Sequence, residues 1–229
     1  MLHYGIKQNI EELESKIPEE VKLLAVSKTK PLEELEEAYI AGIRDFGENK
    51  VQELEKKSKN FHDDVRWHFI GQLQSNKVKY LVDKVYLIHS LGSISLLNEI
   101  EKIFGKANKV ANTLIQINIG REDSKSGILE EDLYEFIEAV EKCNHVSVNG
   151  IMVIIPIGDE ENNRIYFKRT KEIFDELKEK EYKNTTMKIL SMGMTHDFMT
   201  AIEEGSNLVR IGTGIFGERN YIVGGGNNE

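Results

Sequence analysis

Eight short apolar segments recur along the chain, and a stretch with helical spacing follows nearly every one. This alternation limits the fold more than any other feature. The segments are KLLAVS (22–27), RDFGE (44–48), RWHFIG (66–71), KVYLIHS (84–90), NTLIQINI (112–119), VNGIMVI (148–154), MKILSM (187–192) and LVRIGT (208–213). Short apolar runs of this kind read as strands. Between them, apolar residues repeat at helical intervals. The sets are Leu32, Leu35, Ala38 and Tyr39; Ile94, Leu97, Ile100 and Ile103; Leu133, Phe136, Ile137 and Val140; and Tyr166, Thr170, Ile173, Phe174 and Leu177. Pro31 suits a first helical turn, and Gly42 and Gly205 suit helix ends. Shorter helical stretches follow Asn49 and span 75–82 and 197–204. Ile6, Ile10, Leu13 and Ile17 form one further amphipathic helix before the first strand, and Pro18 ends it.

Strands that alternate with helices build parallel βαβ units. Eight such units allow the sheet to close on itself. The expected fold is therefore α/β: a single-domain (β/α)8 TIM barrel with an extra N-terminal helix over residues 1–222. The tail 223–229, which contains GGGNNE, is expected to be disordered. An open doubly wound sheet is the alternative that the pattern leaves. A chain of 229 residues suffices for one such domain. The net charge of −9 argues against a general nucleic-acid surface. The stretch around GIMVIIPI is too short to span a bilayer, so no membrane role is expected. The N-terminus has acidic residues and no apolar core like that of a secretory signal. Cys143 is the only cysteine, so no disulfide can form within the chain. That fits a reducing cytoplasm.

In a (β/α)8 barrel the chemistry sits at the C-terminal ends of the strands. Those ends supply Lys28, then Glu48 and Asn49, then His68 and Gly71, then His89, then Asn118. The last two strands supply Ser191, Gly193, Arg210, Gly212, Thr213 and Gly214. No carboxylate and histidine set has metal-ligand spacing, so no metal is expected. SMGMTHD and RIGTGIFG place glycines just before helix starts, where backbone can approach an anion closely. A phosphate site is expected there. Arg210 suits either a rim salt bridge or donation to a ring nitrogen or anion in the mouth. A lysine in a partly desolvated pocket loses preference for its charged form and can attack an aldehyde. Lysine, phosphate cradle and ring-nitrogen partner are the parts of a pyridoxal phosphate site. Position alone leaves both Lys28 and Lys30 as the reacting lysine, with Lys28 nearer the strand proper.

The motifs LLAVSKTKP, FGENKVQE, WHFIGQLQSNK, INIGREDSKSG, LSMGMTHD and RIGTGIFG follow one another from residue 23 to residue 217. In that order they resemble the YggS/PROSC family of pyridoxal 5′-phosphate homeostasis proteins, whose barrel is similar to that of alanine racemase. The resemblance implies that Lys28 is the Schiff-base lysine. It implies that Ser191, Gly212 and Thr213 contact the phosphate, and that Arg210 faces the pyridine nitrogen. It also implies that Asn49 and His68 line the pocket. Lys125, in SKSG, is either a rim residue that holds or passes on cofactor or a solvated loop lysine. Thr195 keeps a hydroxyl where the family often has serine, and Lys50 stands where it more often has tyrosine.

Two functions of different class follow. The resemblance implies an intracellular protein that buffers pyridoxal phosphate or delivers it to apo-enzymes, with no catalytic residues. The alternative is a small amino-acid racemase or decarboxylase. An arginine beside the pyridine nitrogen disfavours its protonation and weakens the ring as an electron sink. The chain ends soon after the eighth strand, so no second domain is expected to cover the cofactor, and a monomer is expected.

Overall fold

In the computed structural model of the protein, residues 5–122 and 125–218 are described. The expected domain end at 222 and the tail 223–229 lie outside them. Eight parallel strands form a closed barrel in sequence order. They are β1 (Lys22–Val26), β2 (Asp45–Glu48), β3 (Arg66–Phe69), β4 (Leu87–Leu91), β5 (Ala111–Ile117), β6 (Val146–Val153), β7 (Thr185–Ser191) and β8 (Leu208–Ile211). β1 pairs with both β2 and β8, which closes the sheet. The barrel expected from the pattern is therefore present, and the open sheet is not.

The helices are α1 (Ile6–Glu14), α2 (Leu32–Ile40), α3 (Val51–Ser58), α4 (Ile94–Lys106), α5 (Leu133–Glu141), α6 (Glu160–Lys178), α7 (Phe198–Glu203) and α8 (Thr213–Phe216). A 3-10 helix, Ser75–Tyr80, connects β3 to β4. α4 starts on a Ser93 hydroxyl that accepts from Leu96 N–H at 3.2 Å. α6 starts on an Asp159 carboxylate that accepts from Asn162 N–H at 2.9 Å. Such caps satisfy donors that a helix start otherwise leaves unpaired.

The barrel buries two kinds of core. The main one lies between the sheet and the helices. There Leu97, Ile100, Phe136, Ile137, Val140 and Phe174 turn their helical stripes onto the strands. Two smaller clusters fill the barrel itself: Leu24, Ile70 and Leu208, and Leu87, Leu114 and Met152. Removing one such side chain costs about 2–5 kcal/mol in a closed core. The same interior also holds His68, His89, Ser191 and Arg210, all with 4% exposure or less.

Some strand ends differ from the pattern. β4 starts at Leu87 rather than residue 84, because Lys84 and Val85 N–H both donate to Leu81 O in a turn. β8 stops at Ile211, and Thr213 opens α8 instead of extending the strand. β1 stops at Val26, and Lys30 N–H donates to Ser27 O at 3.0 Å to close a turn around Lys28 and Thr29.

Candidate functional site

Lys28 lies in that turn, at the C-terminal end of β1, and is half-buried. The backbone beside it is held in an unusual shape. Thr29 has φ +65°, a region that a β-branched residue occupies at a cost of about 1–3 kcal/mol. Groups on β2 and α3 hold it there. Thr29 N–H donates to Glu53 Oε2 at 2.7 Å. Ser27 O accepts from Lys57 Nζ at 2.8 Å, and Ser27 Oγ donates to Glu48 Oε1 at 2.6 Å. Lys57 Nζ also pairs with Glu48 Oε1 at 2.7 Å. Glu48 is fully buried. Burial pushes its carboxyl pKa up, against the pull of Lys57 and Ser27.

Lys30, the other candidate lysine, has a structural post. Its Nζ donates to Phe216 O at 3.0 Å and pairs with Glu34 Oε2 at 3.1 Å. It ties the β1 turn to α8 and α2.

The two glycine turns meet at the same face. Gly193 follows β7 with φ +94°, and a Cβ there would sit 2.6 Å from Ala201 Cβ. Only glycine fits that bend. Gly212 and Thr213 follow β8, and Gly214 N–H donates to Thr195 Oγ1 at 3.4 Å, joining the two turns. Gly71 lies against the Asn49 backbone so closely that a Cβ would strike Asn49 Cα at 2.7 Å. That contact seats Asn49, whose side-chain Oδ1 is buried without a partner.

Inside the mouth, Arg210 is 4% exposed. Its Nη1 donates to Ser191 Oγ at 2.7 Å and its Nη2 to Val153 O at 2.8 Å. Burial lowers its pKa to about 10. Ser191 Oγ is 3.2 Å from His89 Nδ1. His89 Nε2 is 2.9 Å from His68 Nδ1, and His68 Nε2 is 2.9 Å from Asp45 Oδ1. Asp45 pairs with Arg66 through Nε at 2.7 Å and Nη2 at 2.5 Å. Burial alone would raise the Asp45 pKa, but the hydrogen bonds from Arg66 and His68 hold it well below the usual carboxylate range. Burial lowers the pKa of both imidazoles, against the pull of Asp45 on His68.

These two histidines predict an acid-sensitive barrel. A base whose pKa is lowered on folding binds fewer protons than in the unfolded chain, so its stability contribution is present at high pH. It is lost as pH falls below the unfolded value near 6.5. The two rings together can contribute a slope of up to about 2.7 kcal/mol per pH unit. Urea unfolding at pH 7 and pH 5 measures this. Equal stability at both pH values would show that neither ring is held neutral.

The structure thus places Lys28, Asn49, Arg210, Gly212 and Thr213 at or near the C-terminal ends of their strands. Ser191 and His68 belong to the same interior set, with the Ser191 hydroxyl and both His68 nitrogens turned toward protein partners. Lys125 lies half-buried, 3.9 Å from Glu122 Oε2. Among the described residues no group of His, Cys, Asp or Glu is arranged to hold a metal. Strand-end position points to His89 but gives it no role, and Asp45, Glu53 and Lys57 are not among the expected site residues. No helix among the described residues is long and apolar enough to cross a membrane.

This is the barrel of the alanine racemase class: the family model for the alanine racemase N-terminal domain matches residues 5–220. A pyridoxal phosphate homeostasis protein of Aquifex aeolicus is 49% identical over 202 residues, covering 87% of this chain and 88% of its own. One from Pasteurella multocida is 40% identical over 223 residues, covering 94% and 95%. The chain belongs to the family of pyridoxal phosphate homeostasis proteins. Among solved structures, PipY of Synechococcus elongatus with PLP bound is 33% identical, with a TM-score of 0.84 over 93% of this chain and all of that one. Alanine racemase of Corynebacterium glutamicum, at 15% identity and a TM-score of 0.74, shares the fold, and this chain covers 62% of it.

Proposed function

We propose that this protein binds pyridoxal 5′-phosphate at the C-terminal mouth of the barrel and serves vitamin B6 homeostasis by buffering the cofactor and delivering it to apo-enzymes. The observation that carries this is Arg210. Its guanidinium is desolvated at the mouth end of β8, and the acceptors it meets, Ser191 Oγ and Val153 O, are neutral. A buried cation of this kind is stabilised by an electron-rich partner such as a pyridine nitrogen. The buried Oδ1 of Asn49 is likewise open to a polar ligand group. When bound, the cofactor supplies an aldehyde that condenses with a lysine amine to a Schiff base, with loss of water. Lys28 is that lysine. Lys30 is committed to Phe216 O and Glu34. Gly212 and Thr213 receive the phosphate beside the Gly193 turn. Asn49 lines the pocket, and Ser191 seats Arg210 from behind. The naming of the relatives supports a homeostasis role over catalysis, and Arg210 offers the ring nitrogen no carboxylate to keep it protonated.

The cytoplasm, where apo-enzymes are made, is the proposed location, and the working unit is a monomer. The test is a visible spectrum of the purified protein after incubation with pyridoxal phosphate. The expected result is an absorption band of protein-bound cofactor at one equivalent. No band would overturn the binding proposal. Robust turnover in a screen of racemase and decarboxylase substrates would overturn the carrier proposal.

A further inference from the structure

The barrel interior carries an unbroken polar chain from mouth to floor. It begins at Arg210 on β8 and runs through Ser191, His89 and His68 to Asp45 at the start of β2, where Arg66 closes it. A cleft of about 570 Å³ at the floor is lined by Asp45 and Arg66. Each link permits only certain protons. Asp45, paired through both oxygens with Arg66, can only accept, so His68 must carry its hydrogen on Nε2. A neutral His68 then offers a lone pair on Nδ1, so His89 donates from Nε2. A neutral His89 offers a lone pair on Nδ1, and only the Ser191 hydroxyl can donate to it. Ser191 Oγ in turn accepts from Arg210, which has no lone pair to offer. Every donor therefore points from the guanidinium toward the carboxylate. Hydrogen bonds aligned in one direction polarise one another, most strongly in a desolvated interior.

We propose that Asp45, His68 and His89 are positioning residues that orient Arg210 and Ser191 from the barrel floor, through a one-way hydrogen-bond chain in which both imidazoles are neutral Nε2–H tautomers. Two consequences follow. The chain that begins at buried Arg210 ends on the Asp45 carboxylate, reached through three neutral groups and not by contact. The hydroxyl proton of Ser191 is spent on His89, so its side chain has no hydrogen left for a ligand phosphate. The inference rests on the proposed cofactor site only for its functional meaning, since the chain is a property of the protein without cofactor.

The test is long-range 1H–15N NMR of the imidazole nitrogens, recorded on cofactor-free full-length protein at pH 7. Both rings are expected as single, neutral Nε2–H tautomers. A cationic ring, or an Nδ1–H tautomer at either position, would overturn the proposal. Direction is tested with two variants. In Asp45→Ala the loss of the only charged acceptor should change the tautomer populations of both His68 and His89 and shift the Arg210 side-chain resonance. In Ser191→Ala the His89 signals should shift while His68 keeps its Nε2–H tautomer. An unchanged His89 in folded Asp45→Ala would also overturn it. If Asp45→Ala does not fold, the wild-type tautomers and Ser191→Ala still decide. Failure of the wild-type protein to bind pyridoxal phosphate would remove the cofactor proposal and leave these measurements untouched.

Discussion

Lys28→Ala is expected to abolish the visible absorption of protein-bound pyridoxal phosphate, while Lys30→Ala keeps it. The two lysines are two residues apart, and strand position alone leaves both open, with Lys28 nearer the strand proper. The family motif chooses Lys28, and Lys30 has a structural post of its own. Lys30 Nζ has the Phe216 carbonyl and the Glu34 carboxylate, 13% side-chain exposure, and a place between α2 and α8. Removing it should loosen the β1 turn from α8 and lower stability by about 1 kcal/mol, the scale of one charge-assisted hydrogen bond partly open to solvent. Lys28 sits at the bend itself, beside a threonine with φ +65°. Its loss should reduce cofactor retention through gel filtration to that of free ligand. Titration with pyridoxal phosphate, followed by borohydride reduction and peptide mapping, measures both variants. A reduced adduct on Lys30, or a full band in Lys28→Ala, would reverse the assignment.

Lys57→Met should be the most damaging single change near the site for folding. Lys57 is 7% exposed, and its ammonium meets Glu48 and Ser27 O below the Lys28 turn. Breaking a buried ion pair from one side costs about 3–5 kcal/mol, since the remaining charge is stranded. Burial already pushes the Glu48 carboxyl up, so it can take a proton and soften the loss. We therefore expect the lower end, about 3 kcal/mol, or roughly 6–12 °C in Tm for a chain of this size. Glu48→Gln in the same background removes the stranded carboxylate and should recover part of the loss. Urea unfolding of the single and double variants gives the coupling directly. A loss below about 1 kcal/mol for Lys57→Met would place the pair among those that contribute little.

The barrel was legible because its strands are short apolar runs and its helices carry clear stripes, such as Leu133, Phe136, Ile137 and Val140. The strand ends were less so. Nothing in KVYLIHS signals that Lys84 and Val85 turn back onto Leu81 O. The glycine turns, Lys28 and Arg210 could be named because strand ends in a barrel converge on one face. The interior chain could not be found by reading strand ends one at a time. His89 follows Leu87 by two residues, as Arg210 follows Leu208, and this shared parity was the available signal. What joined them was closure of the sheet, which sets β2, β3, β4, β7 and β8 around one axis. The support from α3 was also hidden. Lys57 and Glu53 have the spacing of an ordinary surface pair on a helix, yet the structure turns Lys57 inward under Ser27.

Closure has a further consequence for how the protein comes to life. Lys28 stands at the end of β1, whereas Arg210, Gly212 and Thr213 belong to β8 and the turn after it, and these two strands pair across the seam. A ribosome-bound chain lacking its last strand has the lysine but neither the arginine nor the second glycine turn. Contacts of such long sequence separation form late, after most of the loop entropy has been lost. On the proposed assignment, a chain lacking β8 would hold Lys28 without the residues proposed to receive the ring nitrogen and the phosphate. Retention of the cofactor would then depend on the pairing of β1 with β8 across the seam.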